Sequence, residues 1–310
     1  TDQEISAAIG RGILFFNVES LAELENINRI AKGLNKITRV AIRINPDVGV
    51  KTHKYISTGK ITNKFGIDLG SAYKILLLRA KFKNLNICGL HIHIGSQITR
   101  SAPFVQAIKK VSNFIQRLKS QGIGLEYLNI GGGLGIIYDQ EAPQTAEIYA
   151  QEIIPLLKKT GLKIIMEPGR FITGNAGILA VKVLYIKPTP KKKFIIVDGG
   201  MNDLIRPALY GAYHQILPVR YPLNAKRYMQ KADIVGPICE SGDFLAKERL
   251  MAKVKEGDYL GVMSAGAYGF SMSSNYNSRL RAAEIMVNGN NAAVIRKRET
   301  CEDLIRNEII

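Results

Sequence analysis

ICGLHIHIGSQ (Ile87–Gln97) opens a run of sequence that passes through YLNIGGGLG (Tyr127–Gly135) and closes at KIIMEPGR (Lys163–Arg170). Each piece begins with a short, largely aliphatic stretch: Ile87 to Ile94, Tyr127 to Ile130, and Lys163 to Met166. Each ends in glycine, histidine or a carboxylate. Between them apolar residues return at helical spacing, over Val105 to Ser120 and Thr145 to Lys159. Strand and helix therefore alternate, as they do in βα units around a parallel sheet. The alternation also holds upstream. A helix is predicted over 2–11, a strand from Ile13 to Asn17, a helix from Leu21 to Leu34 and a strand from Arg39 to Ile44. A long loop and a helix from Ala72 to Ala80 follow.

All five predicted strands lead straight into residues capable of chemistry: Asn17, Asn45-Pro46-Asp47, His93 to Gln97, the Gly131 triplet and Glu167. A (β/α)8 barrel builds its site at the C-terminal ends of its strands, whereas a doubly wound sheet would not load every end. The expectation is an α/β chain whose first part is an incomplete TIM (β/α)8 barrel, with about five of eight βα units. At about 30 residues per unit, roughly 90 residues would stand ahead of residue 1 in a closed barrel. From about Ile178 the helical period fades. Short strands such as Lys193 to Val197, Asp233 to Val235 and Tyr259 to Met263 then alternate with Gly, Pro and Asp turns. The expected domains are a partial barrel over 1–177 and a C-terminal all-β domain over 178–310.

Composition narrows the function class. The chain has 310 residues, 46% hydrophobic and 22% charged, as in ordinary globular proteins. There is no run of 18 apolar residues and no basic-then-apolar leader, so no membrane partner is expected. A net charge of +17 would suit nucleic acid, but Lys and Arg are scattered apart from Lys191–Lys193 and Arg296–Arg298, and neither cluster is interleaved with aromatic residues. A solvated basic surface is the simpler reading, and no nucleic-acid partner is expected. Cys88, Cys239 and Cys301 have no metal-like spacing and cannot all pair, which fits a reducing, cytoplasmic compartment.

His91 and His93 stand two apart on a strand, so their side chains share a face. A metal pair is one reading and a structural role another, but no carboxylate or third histidine lies close in sequence, and no metal is expected. Gly131, Gly132 and Gly133 follow a strand directly, where bare backbone lets several N–H groups approach a phosphate. A tight turn alone would use the same residues, and the GxGxxG pattern of dinucleotide folds is not matched. Glu167 ends a strand. Arg170, three residues on, can fork onto a carboxylate or phosphate, with a surface Glu–Arg pair as the plain alternative. Cys239 reads either as a small buried apolar residue or, beside Glu240 and Asp243, as a functional thiol.

With CESGD (Cys239–Asp243) and GAYGFSMSSNYNSR (Gly266–Arg279), these motifs make the chain resemble the fold-type III decarboxylases that use pyridoxal 5'-phosphate (PLP). STGKITNKFGI (Ser57–Ile67), CESGDFLAKER (Cys239–Arg249) and IRKRETCEDL (Ile295–Leu304) are similar to the diaminopimelate branch of that family. The likeness runs from about residue 1 to residue 310. It implies PLP as cofactor, decarboxylation of meso-diaminopimelate to L-lysine, and a homodimer with shared active sites. By the same resemblance His93 stacks on the cofactor ring, and Ser96, Gly131, Gly132, Gly133 and Tyr268 hold its phosphate. Gly169 belongs to the cofactor site through EPGR. Glu167 sits beside the pyridine nitrogen, where a carboxylate favours the protonated ring and strengthens it as an electron sink. Arg170 serves cofactor and substrate, and Arg206, Tyr210, Glu240 and Tyr268 are implied substrate ligands. Cys239 is implied to protonate the carbanion from a loop that crosses the dimer interface, with Glu240 on the distal ammonium. Leu280 departs from the family's usual proline, which affects a local turn.

One family feature has no counterpart. The Schiff-base lysine of these enzymes stands in a Tyr-Ala-x-Lys phrase, and no such phrase occurs among the 310 residues. Together with the missing initial Met, this implies a fragment that is inactive alone. Lys51, Lys54, Lys60 and Lys64 would need a rearranged barrel to substitute. A non-catalytic regulatory relative and an ornithine- or arginine-type decarboxylase are the rival readings.

Overall fold

The structure is a computed structural model that describes residues 1–49, 64–220 and 229–309. Lys51, Lys54 and Lys60, with most of the Ser57–Ile67 motif, lie outside the described residues. The chain divides into two compact units. One comprises Thr1–Gly135 and Ala142–Gly169, the other Ile136–Glu141 and Arg170–Ile310.

The first unit runs α1 (Asp2–Gly10), β1 (Phe16–Val18), α2 (Leu21–Gly33), β2 (Thr38–Asn45), β3 (Ile67–Asp68), α3 (Leu69–Leu77), β4 (Leu85–His91), α4 (Ala102–Ser120), β5 (Tyr127–Asn129), α5 (Ala146–Lys158) and β6 (Lys163–Ile165). The sheet order is β1-β2-β4-β5-β6, every pairing is parallel, and two-residue β3 pairs with the end of β2. Strands thus follow one another in space as they do in sequence. A doubly wound sheet would instead reverse direction at a switch point. β3 was not predicted, because two residues carry no alternation to read.

Local chemistry sets the helix ends. Ser20, Asp68 and Thr145 cap α2, α3 and α5, each accepting from a backbone N–H three residues on. The Asp68 cap starts α3 three residues ahead of the predicted Ala72. Pro103 lies in the first turn of α4, where a missing N–H leaves no bond unmade. α4 buries Phe104, Ala107, Ile108, Val111, Phe114, Ile115 and Leu118, one stripe at three- and four-residue spacing. That stripe packs in the same core as Val40, Ile42 and Ile44 of β2, Leu90 of β4 and Leu128 of β5. β2 is buried continuously from Val40 to Asn45, as a parallel strand covered on both faces should be.

The second unit is built on β7 (Leu179–Pro188), β8 (Lys193–Val197), β9 (Ile216–Pro218), β10 (Met229–Val235), β11 (Phe244–Ala252) and β12 (Tyr259–Val262). Their order is β11-β10-β8-β7-β12-β9, with only β8 and β10 parallel. Val181, Val183, Ile195, Val197, Ile234, Leu245, Leu260 and Val262 form its core. A separate hairpin joins β13 (Glu284–Asn288) to β14 (Asn291–Arg296). Ahead of β7 stands α6 (Gly169–Thr173), and two further short helices, α7 (Arg206–Tyr210) and α8 (Cys301–Ile305), interrupt the 178–310 stretch that the sequence suggests is purely β. Each has five residues, too few for a helical period to show. Among the described residues no helix is long and apolar enough to cross a membrane.

Candidate active site

Register fixes the first group of site residues. Arg43 pairs with His91, His91 with Asn129, and Asn129 with Ile165 across β2, β4, β5 and β6. Residues two further on keep the same facing, so His93, Gly131 and Glu167 continue that row past the strand ends.

Asn129 ties the row together. Its amide donates to Glu167 Oε1 at 2.6 Å, and its carbonyl oxygen accepts from the Gly131 N–H at 2.9 Å. Asn17, the central residue of β1, also donates to Glu167 Oε1, at 3.4 Å. The Glu167 N–H donates to Gly131 O at 2.8 Å. Both amides use one oxygen of the carboxylate, and the other, Oε2, lies 3.8 Å from His91 Nε2. That separation is within ion-pair reach, yet His91 is neutral. Burial first, then the Arg43 and His93 charges, push its pKa down to about 3. Neither His91 ring nitrogen has a hydrogen-bond partner among the described residues. Arg43, itself buried, is paired with Glu19, whose other oxygen accepts from the Gly66 N–H at 2.8 Å.

The glycine run is tight in three separate ways. A methyl on Gly131 would overlap Ile92 O, on Gly132 the Glu167 carbonyl oxygen, and on Gly133 Gly95 O. Gly131 and Gly133 also hold φ of +67° and +102°, where side chains are strained. The Gly132 N–H donates to His93 Nδ1 at 3.2 Å, which leaves the ring proton on Nε2. Burial, chiefly, and Arg43 lower the His93 pKa against the opposing pull of Glu167 and Glu19. Ser96 is half-buried in the loop that follows, and Gly169 donates its N–H to Glu167 O at 2.8 Å.

In the second unit, Arg170 of α6 and Arg206 of α7 meet at one aromatic residue, Tyr138. Arg170 Nη1 donates to the Tyr138 hydroxyl at 2.6 Å. The Arg206 guanidinium lies 4.8 Å from the centre of the Tyr138 ring. Tyr268, in the GAYG loop, has its ring centre 4.9 Å from the Arg170 guanidinium. Arg170 and Arg206 are 9% and 7% exposed. Burial lowers the Arg206 pKa, and Arg170 adds to the lowering against the opposing pull of Tyr138, Tyr210 and Tyr268. Its Nε has no hydrogen-bond partner among the described residues. A buried guanidinium stays charged and is strongly unfavourable without a compensating anion. Tyr210 closes α7, half-buried, ahead of a left-handed Gly211.

Cys239 and Glu240 are exposed and form a different cluster. Asn277 Nδ2 donates toward Cys239 Sγ at 3.8 Å, and the Tyr276 hydroxyl donates to Glu240 Oε2 at 2.6 Å. Adjacent residues of NYN therefore grip adjacent residues of CES. Asp243, which in the sequence reads as support for a functional thiol, is a buried scaffold. Its two oxygens accept from Met201 N and Ile238 N at 2.7 Å each. Of the two basic clusters, Lys192 pairs with Asp233 at 3.0 Å and Arg296 pairs with Glu284. Among the described residues no group of three His, Cys, Asp or Glu could hold a metal ion.

The pattern reading did not single out Asn129, Tyr138, Tyr276 or Asn277. Asn129 could have been found, since it precedes the glycine run at a strand end. Nothing in the spacing marks Tyr138.

Comparison with known proteins establishes the family. Residues 1–174 match the family model for the pyridoxal-binding domain of pyridoxal-dependent decarboxylases. The chain is 50% identical over 306 residues to a diaminopimelate decarboxylase of Aquifex aeolicus, covering 98% of this chain and 72% of that protein. It is 47% identical over 309 residues to one of Neisseria meningitidis, covering 100% and 75%. The crystal structure of the Helicobacter pylori diaminopimelate decarboxylase complexed with L-lysine superposes with a TM-score of 0.93 at 42% identity. It spans 99% of this chain and 76% of that one.

Proposed function

This chain belongs to the diaminopimelate decarboxylases of the pyridoxal-dependent family, and from that membership we propose that its reaction is decarboxylation of meso-diaminopimelate to L-lysine. The structural observation that carries the substrate class is Arg206, a buried guanidinium whose Nε has no hydrogen-bond partner among the described residues. We read the parallel sheet as part of a (β/α)8 barrel and the functional state as a homodimer in the cytosol.

The residues fit PLP. Gly131, Gly132 and Gly133 present bare backbone so closely packed on Ile92, Glu167 and Gly95 that no side chain fits there, and Glu167 is held at an adjacent strand end by two amides. The glycine run and Ser96 would hold the phosphate, with Tyr268 as a further phosphate ligand. His93 would lie against the ring, and Glu167 would face the ring nitrogen. PLP supplies the electron sink for the charge left when a carboxylate departs. The protein's own share is positional. Asn129 and Asn17 hold the Glu167 charge at the strand end, and Gly132 fixes the tautomer of His93. Arg206 and Arg170 bind carboxylate, with Tyr210 beside them. The Cys239 thiol, held by Asn277, delivers a proton to carbon, and Glu240 takes the distal ammonium.

Calorimetry tests the substrate. meso-Diaminopimelate is expected to bind the PLP-loaded chain at least about tenfold more tightly than L-ornithine, which has no second carboxylate, and Arg206→Gln should remove most of that preference. Equal or tighter binding of L-ornithine would overturn the assignment.

A second expectation concerns lysine. No lysine of this sequence stands in the family's anchoring phrase, so these 310 residues should take up PLP without a covalent link. Borohydride reduction and peptide mass mapping should find no single modified site. A stoichiometric adduct on Lys51, Lys54, Lys60 or Lys64 would show that a lysine of this chain does the work.

A further inference from the structure

Tyr138 is reached by an unusual route. Three residues after Gly133 the chain leaves the first unit for six residues, Ile136–Glu141, which belong to the second, and then returns at Ala142. Tyr138 lies within that excursion and is 7% exposed. Four groups of the second unit converge on it or on its partners. Its hydroxyl accepts from Arg170 Nη1, and its ring face lies under the Arg206 guanidinium. The His214 ring meets its edge with centroids 5.2 Å apart. Tyr268 covers the other arginine.

Two buried guanidiniums repel, and each lowers the other's tolerance for burial. Their spacing therefore needs a mediator that is neutral, rigid and attractive to both. A phenol meets all three needs, since its π face attracts one cation and its oxygen accepts from the other. His214 beside it adds no third charge. It is fully buried, and one ring nitrogen is bonded to the Met263 carbonyl at 2.8 Å.

We propose that Tyr138 is the positioning residue that sets the spacing of Arg170 and Arg206 for an incoming carboxylate. This rests on the reading of Arg206 as an anion-binding residue. It assigns the ring the task of holding Arg206 and the hydroxyl that of orienting Arg170.

The test uses the full chain and separates the two parts. With meso-diaminopimelate as the calorimetric probe, Tyr138→Phe should weaken binding about tenfold, through loss of one bond to a charged group. Tyr138→Leu should weaken it about 100-fold, because the platform goes too. A second readout needs neither cofactor nor substrate: the side-chain Nε–H signal of Arg206 in the NMR spectrum of the apo chain. Lying over an aromatic ring, that proton should be shifted upfield in the parent and in Tyr138→Phe, and should return to the ordinary arginine range in Tyr138→Leu. If Tyr138→Leu fails to fold, Tyr138→Phe and the parent spectrum still decide. Binding to Tyr138→Phe within twofold of the parent, or an unshifted Arg206 signal in the parent, overturns the proposal. Arg206→Gln distinguishes the levels. If it leaves binding intact, the anion-binding reading itself falls and the proposal falls with it. If it abolishes binding while both Tyr138 variants bind normally, only the role of Tyr138 is refuted.

Discussion

Gly132→Ala should lower PLP affinity by about 100-fold and lower the melting temperature, even though it adds a single methyl group. The methyl would overlap the Glu167 carbonyl oxygen and lie 2.9 Å from the Glu167 carbonyl carbon. These are backbone atoms, so no rotamer change relieves the clash. The oxygen is also engaged, since it accepts from the Gly169 N–H, and the Glu167 N–H donates to Gly131 O. Relief must therefore come from parting the two strand ends. That movement carries the Glu167 carboxylate away from Asn129 and Asn17, and it opens the bond from Gly132 N–H to His93. A displacement of about 1 Å at such groups is commonly worth two orders of magnitude, and overpacking of this kind costs about 1–3 kcal/mol in stability. Gly124→Ala is the control, because nothing lies within 4 Å of a methyl there, and it should be neutral within about 0.5 kcal/mol. PLP titration followed by tyrosine fluorescence, with thermal melts of both variants, reads the outcome. An unchanged affinity in Gly132→Ala would mean that the glycine run is a turn and nothing more.

The same glycine shows what could be read from sequence. Three consecutive glycines directly after a strand announce an unusual backbone, and the strand ends around them announce where chemistry collects. Both are local signals, and the five principal parallel strands of the first unit all lie at or within three residues of their predicted starts. The reasons for each glycine are not local. Gly132 is required by Glu167, 35 residues away in sequence, and Gly133 by Gly95. The roles of Tyr138, and of Asn277 within the Gly266–Arg279 motif, are hidden for the same cause. Their value comes from partners that only tertiary structure supplies: Arg206 for one and Cys239 for the other. Asp243 shows the reverse error, a carboxylate whose position beside a cysteine suggests chemistry but whose oxygens are both occupied by backbone N–H groups. In the second unit, β11 and the β13–β14 hairpin escaped because Lys and Glu interrupt one and exposed residues fill the other.

Acid should unfold this protein between about pH 6 and pH 4, ahead of the range in which its paired carboxylates titrate. All three histidines among the described residues, His91, His93 and His214, have lowered pKa values. For His91, burial leads, followed by Arg43 and His93, and the value falls to about 3. For His214, burial leads against the Met263 bond, Arg206, Arg249 and Arg170 add to the lowering, and the value falls to about 4. The unfolded chain takes up these protons near pH 6.5, before the folded chain can. Stability from a histidine held neutral is thus complete above the unfolded pKa and is lost as pH falls toward the folded one. Between pH 7 and pH 4 this withdraws about 3 kcal/mol through His91 and about 3 kcal/mol through His214. The two lie in different compact units, so each unit loses a large share of a stability that is typically ~5–15 kcal/mol. Carboxylates such as Glu299, which Arg281 holds near a pKa of about 2, begin to lose their contribution only as pH falls below the unfolded value of 4.5, so the upper part of the window belongs to the histidines. Urea unfolding at pH 7, 5.5 and 4.5 should show the midpoint falling at each step. Replacing His91 by Phe, which cannot titrate, should flatten the pH slope whatever it does to stability at pH 7. The direct reading is the imidazole C2–H signal in the folded protein. A His91 or His214 resonance that titrates with a midpoint near 6.5 would refute the argument, because it would mean that the ring accepts a proton in its buried place at no cost.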